Sequence, residues 1–187
     1  MGRWEPGAAG RLREAAMALY AERGYDRTTV AEIADRAGVT ARTFFRHFAD
    51  KREVLFAGSE ELERHMVEAL VAAPESATPM EAVAAAVLSS ADFFDDLRRD
   101  YSSRRQAVIA ATPELREREL IKLASLTAAF TEALRKRGAG EDVAALAAET
   151  GVAVFRVAFE RWIAEPDGVG LADVIRSTLA TLSGLTA

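Results

Sequence analysis

From about Gly10 onward, apolar side chains recur three and four positions apart at Leu12, Ala15, Ala16, Leu19 and Tyr20, the spacing of one helical face, until Gly24 supplies a stop. Thr29 followed three residues later by Glu32 is a capping box, so Val30, Ile33, Ala34 and Ala37 line a short second helix that ends before Gly38. Thr40 caps a third, whose Phe44, Phe45 and Phe48 are too many aromatics for a fully solvated helix. Asp50 and Glu53 read as a further capping box, opening a long fourth helix through Leu55, Leu62, Met66 and Leu70 to about Ala73.

Beyond Pro74, the run Thr78-Pro79-Met80-Glu81 combines a cap, a proline at the first helical position and an acid at the third. It predicts a fifth helix to about Arg99. A shorter sixth runs from Ser102 to Ala111, and a seventh opens at Thr112-Pro113-Glu114 and closes on Arg135-Lys136-Arg137 before Gly138. An eighth covers Glu141 to Glu165, stopped by Pro166, and a ninth covers Leu171 to Leu182, stopped near Gly184. No stretch sustains period-two alternation, so the expected class is all-α with about nine helices and no fixed-period repeat. The expected division is a head over residues 1–50 and a larger helical domain over 51–187.

Composition narrows the chemistry. Half of the 187 residues are apolar and 28% are charged, the balance of a chain that folds. No apolar run approaches the ~18 residues of a membrane span, and the first residues lack a signal-peptide core, so a cytoplasmic location without a membrane partner is expected. With no cysteine, and His47 and His65 as the two histidines, no disulfide, thiolate site, metal or cofactor is expected. An all-α enzyme would need a nucleophile, base and orienting group in one cleft, and the larger domain offers mainly carboxylates, so no catalytic residue is nominated. The net charge of −5 argues against non-specific coating of nucleic acid, yet residues 1–55 carry ten basic and eight acidic side chains. The head is therefore locally cationic.

Two short helices joined by Ala37-Gly38-Val39-Thr40 fit a helix-turn-helix, with Gly38 at positive φ, Val39 at the apolar junction and Thr40 capping the helix that faces DNA. Thr28-Thr29-Val30-Ala31-Glu32-Ile33-Ala34, Gly38-Val39-Thr40 and Phe44-Phe45-Arg46-His47-Phe48-Ala49-Asp50-Lys51 together resemble the TetR family of regulators over about the first fifty-six residues. The resemblance implies that Thr29, Thr40, Thr43 and Lys51 lie at phosphates or bases. Thr28, Ala41, Arg42, Phe45, Arg46 and His47 complete the expected DNA-binding set. Three positions depart from the family pattern. Phe45 and His47 stand where tyrosines commonly meet phosphate, and of these His47 alone can donate a hydrogen bond. Arg42 replaces a common glycine and can bond bidentately to guanine O6 and N7, worth about 1–3 kcal/mol of discrimination. Arg46 either reaches phosphate or solvates the exposed face of its helix.

One such head reads one half-site, so a homodimer on a palindromic operator is expected. The resemblance places the dimer interface in the last two helices, here Val152, Phe155, Trp162, Leu171, Val174, Ile175, Leu179 and Leu182. It also implies a small-molecule effector among the fourth to eighth helices. Phe93, Phe94, Leu97, Ile109, Leu123, Phe130 and Phe159 either line a pocket or pack the core, and Arg104 and Arg105 either receive an acidic head group or solvate the surface. The stretch from Arg104 to Ile109, then Thr112 to Glu119, with Trp162 beyond, is similar to the mycofactocin-regulator branch, which implies an acyl-CoA-like effector. The expected function is thus a ligand-released repressor. A transcriptional activator of the same fold, an all-α enzyme and a protein-interaction adaptor are the alternatives.

Overall fold

Capping chemistry sets most of the helix boundaries in the computed structural model, which describes residues 7–94, 96–165 and 168–185. The helices are α1 (Ala8–Arg23), α2 (Val30–Arg36), α3 (Ala41–His47), α4 (Ser59–Ala72), α5 (Pro79–Ser89), α6 (Asp96–Ala111), α7 (Pro113–Lys136), α8 (Glu141–Ala164) and α9 (Leu171–Leu185), with a 3-10 turn at Ser90–Phe93. There is no strand among the described residues. Both expected capping boxes before α2 and α5 form. The Glu32 N–H donates to Thr29 Oγ1 at 3.3 Å while the Thr29 N–H donates to the Glu32 carboxylate at 2.9 Å, and Thr78 with Glu81 repeats the exchange.

Three expected boundaries are corrected. The fourth helix does not open at Asp50, because residues 51–58 run as successive turns with three-residue hydrogen bonds from Leu55 N–H to Arg52 and from Phe56 N–H to Glu53. Asp50 does accept from the Arg52 and Glu53 N–H groups, but the Glu53 carboxylate turns to Arg118 at 2.6 Å instead of closing a box. Gly58, at φ +88, then caps α4 from a left-handed conformation. The expected fifth helix breaks before Arg99. Ser89 and Ser90 hydroxyls donate to the Ala86 and Val87 carbonyls, and Phe94 is extended, so the chain restarts as α6 at Asp96. Gly184 does not stop α9, which continues to Leu185. Pro166, the expected stop of the eighth helix, lies outside the described residues; α8 ends at Ala164.

The chain divides into two compact units, Met1–Ala57 with Arg104–Glu119, and Gly58–Ser103 with Leu120–Ala187. The first differs from the expected head by running on to Ala57 and by taking in the end of α6 and the start of α7. Side chains explain this: Arg105 Nε donates to the Leu55 carbonyl at 2.6 Å with its guanidinium over the Phe56 ring, and Arg118 meets Glu53. Within this unit α1, α2 and α3 pack on one another around Leu12, Ala16, Leu19, Ile33 and Phe44.

In the second unit α5 packs against α4, α8 and α9, and α8 against α9. Its core holds Met66, Leu70, Val83, Val87, Phe130, Leu134, Trp162 and Ile175. Helices α5 and α8 meet closely at Gly151, where an added Cβ would lie 2.1 Å from Cγ1 of the fully buried Val83. Valine is stiff about χ1 and cannot swing away without disturbing its neighbours. Gly151→Ala should therefore destabilise the protein by about 1–3 kcal/mol through overpacking, outweighing alanine's helix propensity. Thermal unfolding checks this: the midpoint should fall by several degrees, whereas an unchanged or raised midpoint would contradict the packing.

Candidate nucleic-acid interface

The turn between α2 and α3 is built by backbone hydrogen bonds. Gly38, at φ +66, donates to the Asp35 carbonyl at 3.0 Å, and Val39 donates to the Ala34 carbonyl at 2.9 Å, the double closure of a Schellman motif. Thr40 then starts α3 by accepting from the Thr43 N–H at 3.2 Å, and the two threonine hydroxyls lie 3.1 Å apart. Arg11 on α1 braces the turn by donating Nε to the Ala37 carbonyl at 3.2 Å. Ion pairs between Arg36 and Glu22 and between Arg23 and Glu32, each at 2.6 Å, tie α2 to α1.

Helix α3 shows two faces. Phe44 is completely buried and Phe48 nearly so, while Thr40, Ala41, Arg42, Phe45, Arg46 and His47 are exposed and Thr43 is half-buried. Neither Arg42 nor Arg46 has a hydrogen-bond or ion-pair partner among the described residues, whereas Arg23, Arg36 and Arg52 are all matched to carboxylates. Two unmatched cations one helical turn apart beside two hydroxyls form a surface suited to phosphates and guanine edges. Arg13 on α1 is also exposed and without a partner among the described residues, a cation that helical pattern alone did not distinguish from its neighbours.

Two of the expected DNA-binding residues are engaged within the unit. Thr28 is 1% exposed and donates its hydroxyl to the Gly24 carbonyl at 2.9 Å. The Lys51 ammonium donates to the carbonyls of Tyr25 at 2.8 Å and Thr28 at 3.0 Å, and lies 4.1 Å above the Tyr25 ring. Tyr20 completes this staple by donating its hydroxyl to the Lys51 carbonyl at 2.7 Å. Burial pushes the Tyr25 hydroxyl pKa well above the ordinary tyrosine value, aided by the charges of Glu114 and Asp50. Thr29 is exposed, with its hydroxyl in the capping box.

The expected effector residues separate between the units. Arg104, Arg105 and Ile109 belong to the first, where Ile109 is buried and Arg105 is occupied by Leu55, Phe56 and Glu119. Phe93, Phe94, Leu123, Phe130 and Phe159 belong to the second, and the side chain of Leu97 lies outside the described residues. Phe94, Phe159 and Trp162 form a cluster with ring centroids 5.1 to 6.0 Å apart. Beside it the buried Arg99, which sequence reading passed over because it sits in a charged run, donates to the Glu165 and Val169 carbonyls and lies 5.1 Å from the Trp162 ring. The Trp162 N–H is buried without an acceptor among the described residues.

The expected dimer residues lie largely inside the second unit. Trp162, Leu171, Val174 and Ile175 are buried in its own core, Val152 and Phe155 nearly so, and Leu179 and Leu182 are half-buried against it. The apolar row that α8 leaves exposed is a different one, Val143, Leu146, Ala153 and Val157, with Leu146 70% exposed.

A tight turn, a capped second helix and an outward cationic face define a helix-turn-helix regulator head. Residues 12–57 match the model of the bacterial regulatory proteins of the tetR family, and residues 77–186 match the MftR C-terminal domain. The chain belongs to the TetR family of bacterial regulatory proteins. The HTH-type transcriptional regulator TcmR of Streptomyces glaucescens is 39% identical over 75 residues, 40% of this chain and 33% of TcmR. An uncharacterized HTH-type regulator of Mycobacterium tuberculosis is 30% identical over 128 residues, 67% of this chain and 66% of its own length. The chain thus spans a third of one curated relative and just under two thirds of the other. Among solved structures, the regulator FadR of Bacillus subtilis, in complex with stearoyl-CoA, shares the fold with TM-score 0.57 at 22% identity over 92% of this chain and 96% of that one. No helix among the described residues is long and apolar enough to cross a membrane.

Two consequences are measurable. Lys51→Met should lower stability by about 1–3 kcal/mol, because two carbonyls lose a charged donor, while Arg42→Ala should leave the melting curve unchanged. Equal thermal midpoints for Lys51→Met and the parent would contradict the staple. The pKa of Glu32 is lowered chiefly by the Thr29 N–H, that of Glu22 chiefly by Arg36 and that of Asp50 chiefly by Arg52. Folded values below the unfolded ones mean that this stabilisation is present above about pH 4.5 and is lost as pH falls further. Denaturant midpoints should decline below that value, and a flat profile down to pH 3 would contradict it.

Proposed function

We propose that this TetR-family protein is a dimeric repressor that occupies a palindromic operator and releases it when a small amphipathic effector binds. The observation carrying the reading is the outward face of α3, where the unmatched Arg42 and Arg46 stand beside Thr40 and Thr43. Arg42 is assigned to a guanine edge. Arg46, His47, Thr29, Thr40 and Thr43 are assigned to phosphates, and Thr28 and Lys51 shape the surface from behind. Repression asks least of such a chain, since occupancy of the duplex suffices.

Dimerisation is assigned to the exposed row of α8. Val143, Leu146, Thr150, Ala153 and Val157 follow one another at intervals of three, four, three and four residues, the seam of a helix that packs against another helix. A second copy is the occupant because a two-fold site needs two heads. Val152, Phe155, Trp162, Leu171, Val174 and Ile175 are buried in the core of the second unit, with Leu179 and Leu182 packed against it, so they support the two helices rather than face a partner.

The effector is assigned to the second unit, to the partly buried Phe94, Leu123 and Phe159, which pack against the core that holds Phe130 and Trp162, with Phe93 in the turn before Phe94. The stearoyl-CoA found in FadR makes a long-chain acyl thioester the first candidate. Helices α6 and α7 each contribute residues to both units, so a repacking of the second unit reaches the first along the chain itself. A cytoplasmic location is part of this reading.

Leu146→Asp places a charge on the seam without touching either core. Sedimentation should show the parent as a dimer and the variant as a monomer, with operator affinity reduced at least tenfold. A parent that sediments as a monomer, or a monomeric variant that binds the two-fold duplex undiminished, would overturn the dimeric reading.

A further inference from the structure

Phe45 is the one large apolar side chain on the outward face of α3, 57% exposed, and no hydroxyl equips it for a phosphate. Its ring makes a T-shaped contact with the buried Phe44, with centroids 5.4 Å apart and planes at 81°. Four residues earlier, on the same row of the helix, lies the exposed methyl of Ala41. The adjacent row, also four apart, is Arg42 and Arg46. The face therefore carries an apolar stripe beside a cationic one. Along the major groove, guanine presents acceptors that suit the arginines, and the apolar feature is the 5-methyl group of thymine.

We propose that the Ala41–Phe45 stripe reads thymine methyl groups, making Phe45 a specificity-determining residue whose half-site holds thymine close to the guanine read by Arg42. This rests on the reading of α3 as the groove-facing helix. Burying a methyl group against an aromatic ring is worth a several-fold gain per half-site, about tenfold for a symmetric pair. Phe45 suits the task because its ring already rests against Phe44, a contact that reduces the freedom to be lost on binding.

The test uses the full chain and a duplex that it enriches from a random pool. Thymines in the enriched duplex are replaced by deoxyuridine in symmetric pairs, which removes the methyl and leaves pairing intact, and affinities are measured by fluorescence anisotropy. One pair should cost the parent about tenfold. Phe45→Ala, which removes an exposed side chain, should bind the thymine duplex about as weakly as the parent binds the deoxyuridine one, and should no longer distinguish them. Phe45→Tyr keeps the ring and should keep the discrimination. Equal binding of thymine and deoxyuridine duplexes by the parent at every pair, or full discrimination retained by Phe45→Ala, would overturn the assignment. Enrichment of no duplex at all would instead defeat the underlying reading of α3.

Discussion

The burial of Phe44 fixes the rotation of α3, and the rest of the interface follows from that rotation. With 3.6 residues per turn, seating positions 44 and 48 against α1 and α2 sends positions 42, 45 and 46 outward, while Ala41 is exposed at the start of the helix. Removing so large a buried ring would cost about 3–5 kcal/mol, far more than an alternative rotation of a seven-residue helix could recover. The outward residues need no local device to hold them in register. They are displayed because their neighbours are packed.

A second constraint acts on the turn before α3. Gly38 must adopt positive φ for the Schellman closure, which frees Thr40 to cap the next helix. Arg11, Lys51 and Tyr20 then hold the surrounding backbone carbonyls in place. These groups are polar, yet their acceptors are main-chain atoms of the same unit, so a basic residue near the DNA-facing surface is not thereby a DNA ligand.

That distinction marks how far sequence could be read. The all-α class, the two capping boxes, the Gly38 turn and the inward and outward rows of α3 follow from short-range spacing, which local chemistry decides. The run after Asp50 misleads, because the same Asp-x-x-Glu pattern serves a helix cap or a series of turns, and the choice fell to Arg118, sixty-five residues away in the chain. Lys51 was likewise decided by distant carbonyls, those of Tyr25 and Thr28. On α8 the pattern is apolar on several faces, so it showed that two surfaces must be covered but not which residues meet the chain's own core. Trp162, expected at the interface, is fully buried, whereas Leu146 is exposed.

The central claim is that the leading turn of α3 enters the major groove, once in each half of a two-fold site. Methylation of guanine N7 places a methyl group on the groove edge that Arg42 would occupy, so interference by premethylated guanines tests it directly. The account predicts that binding is blocked by methylation at two clusters, symmetrically placed and facing the same side of the duplex. Binding that is indifferent to guanine N7 methylation, or blocked at one cluster alone, would contradict it.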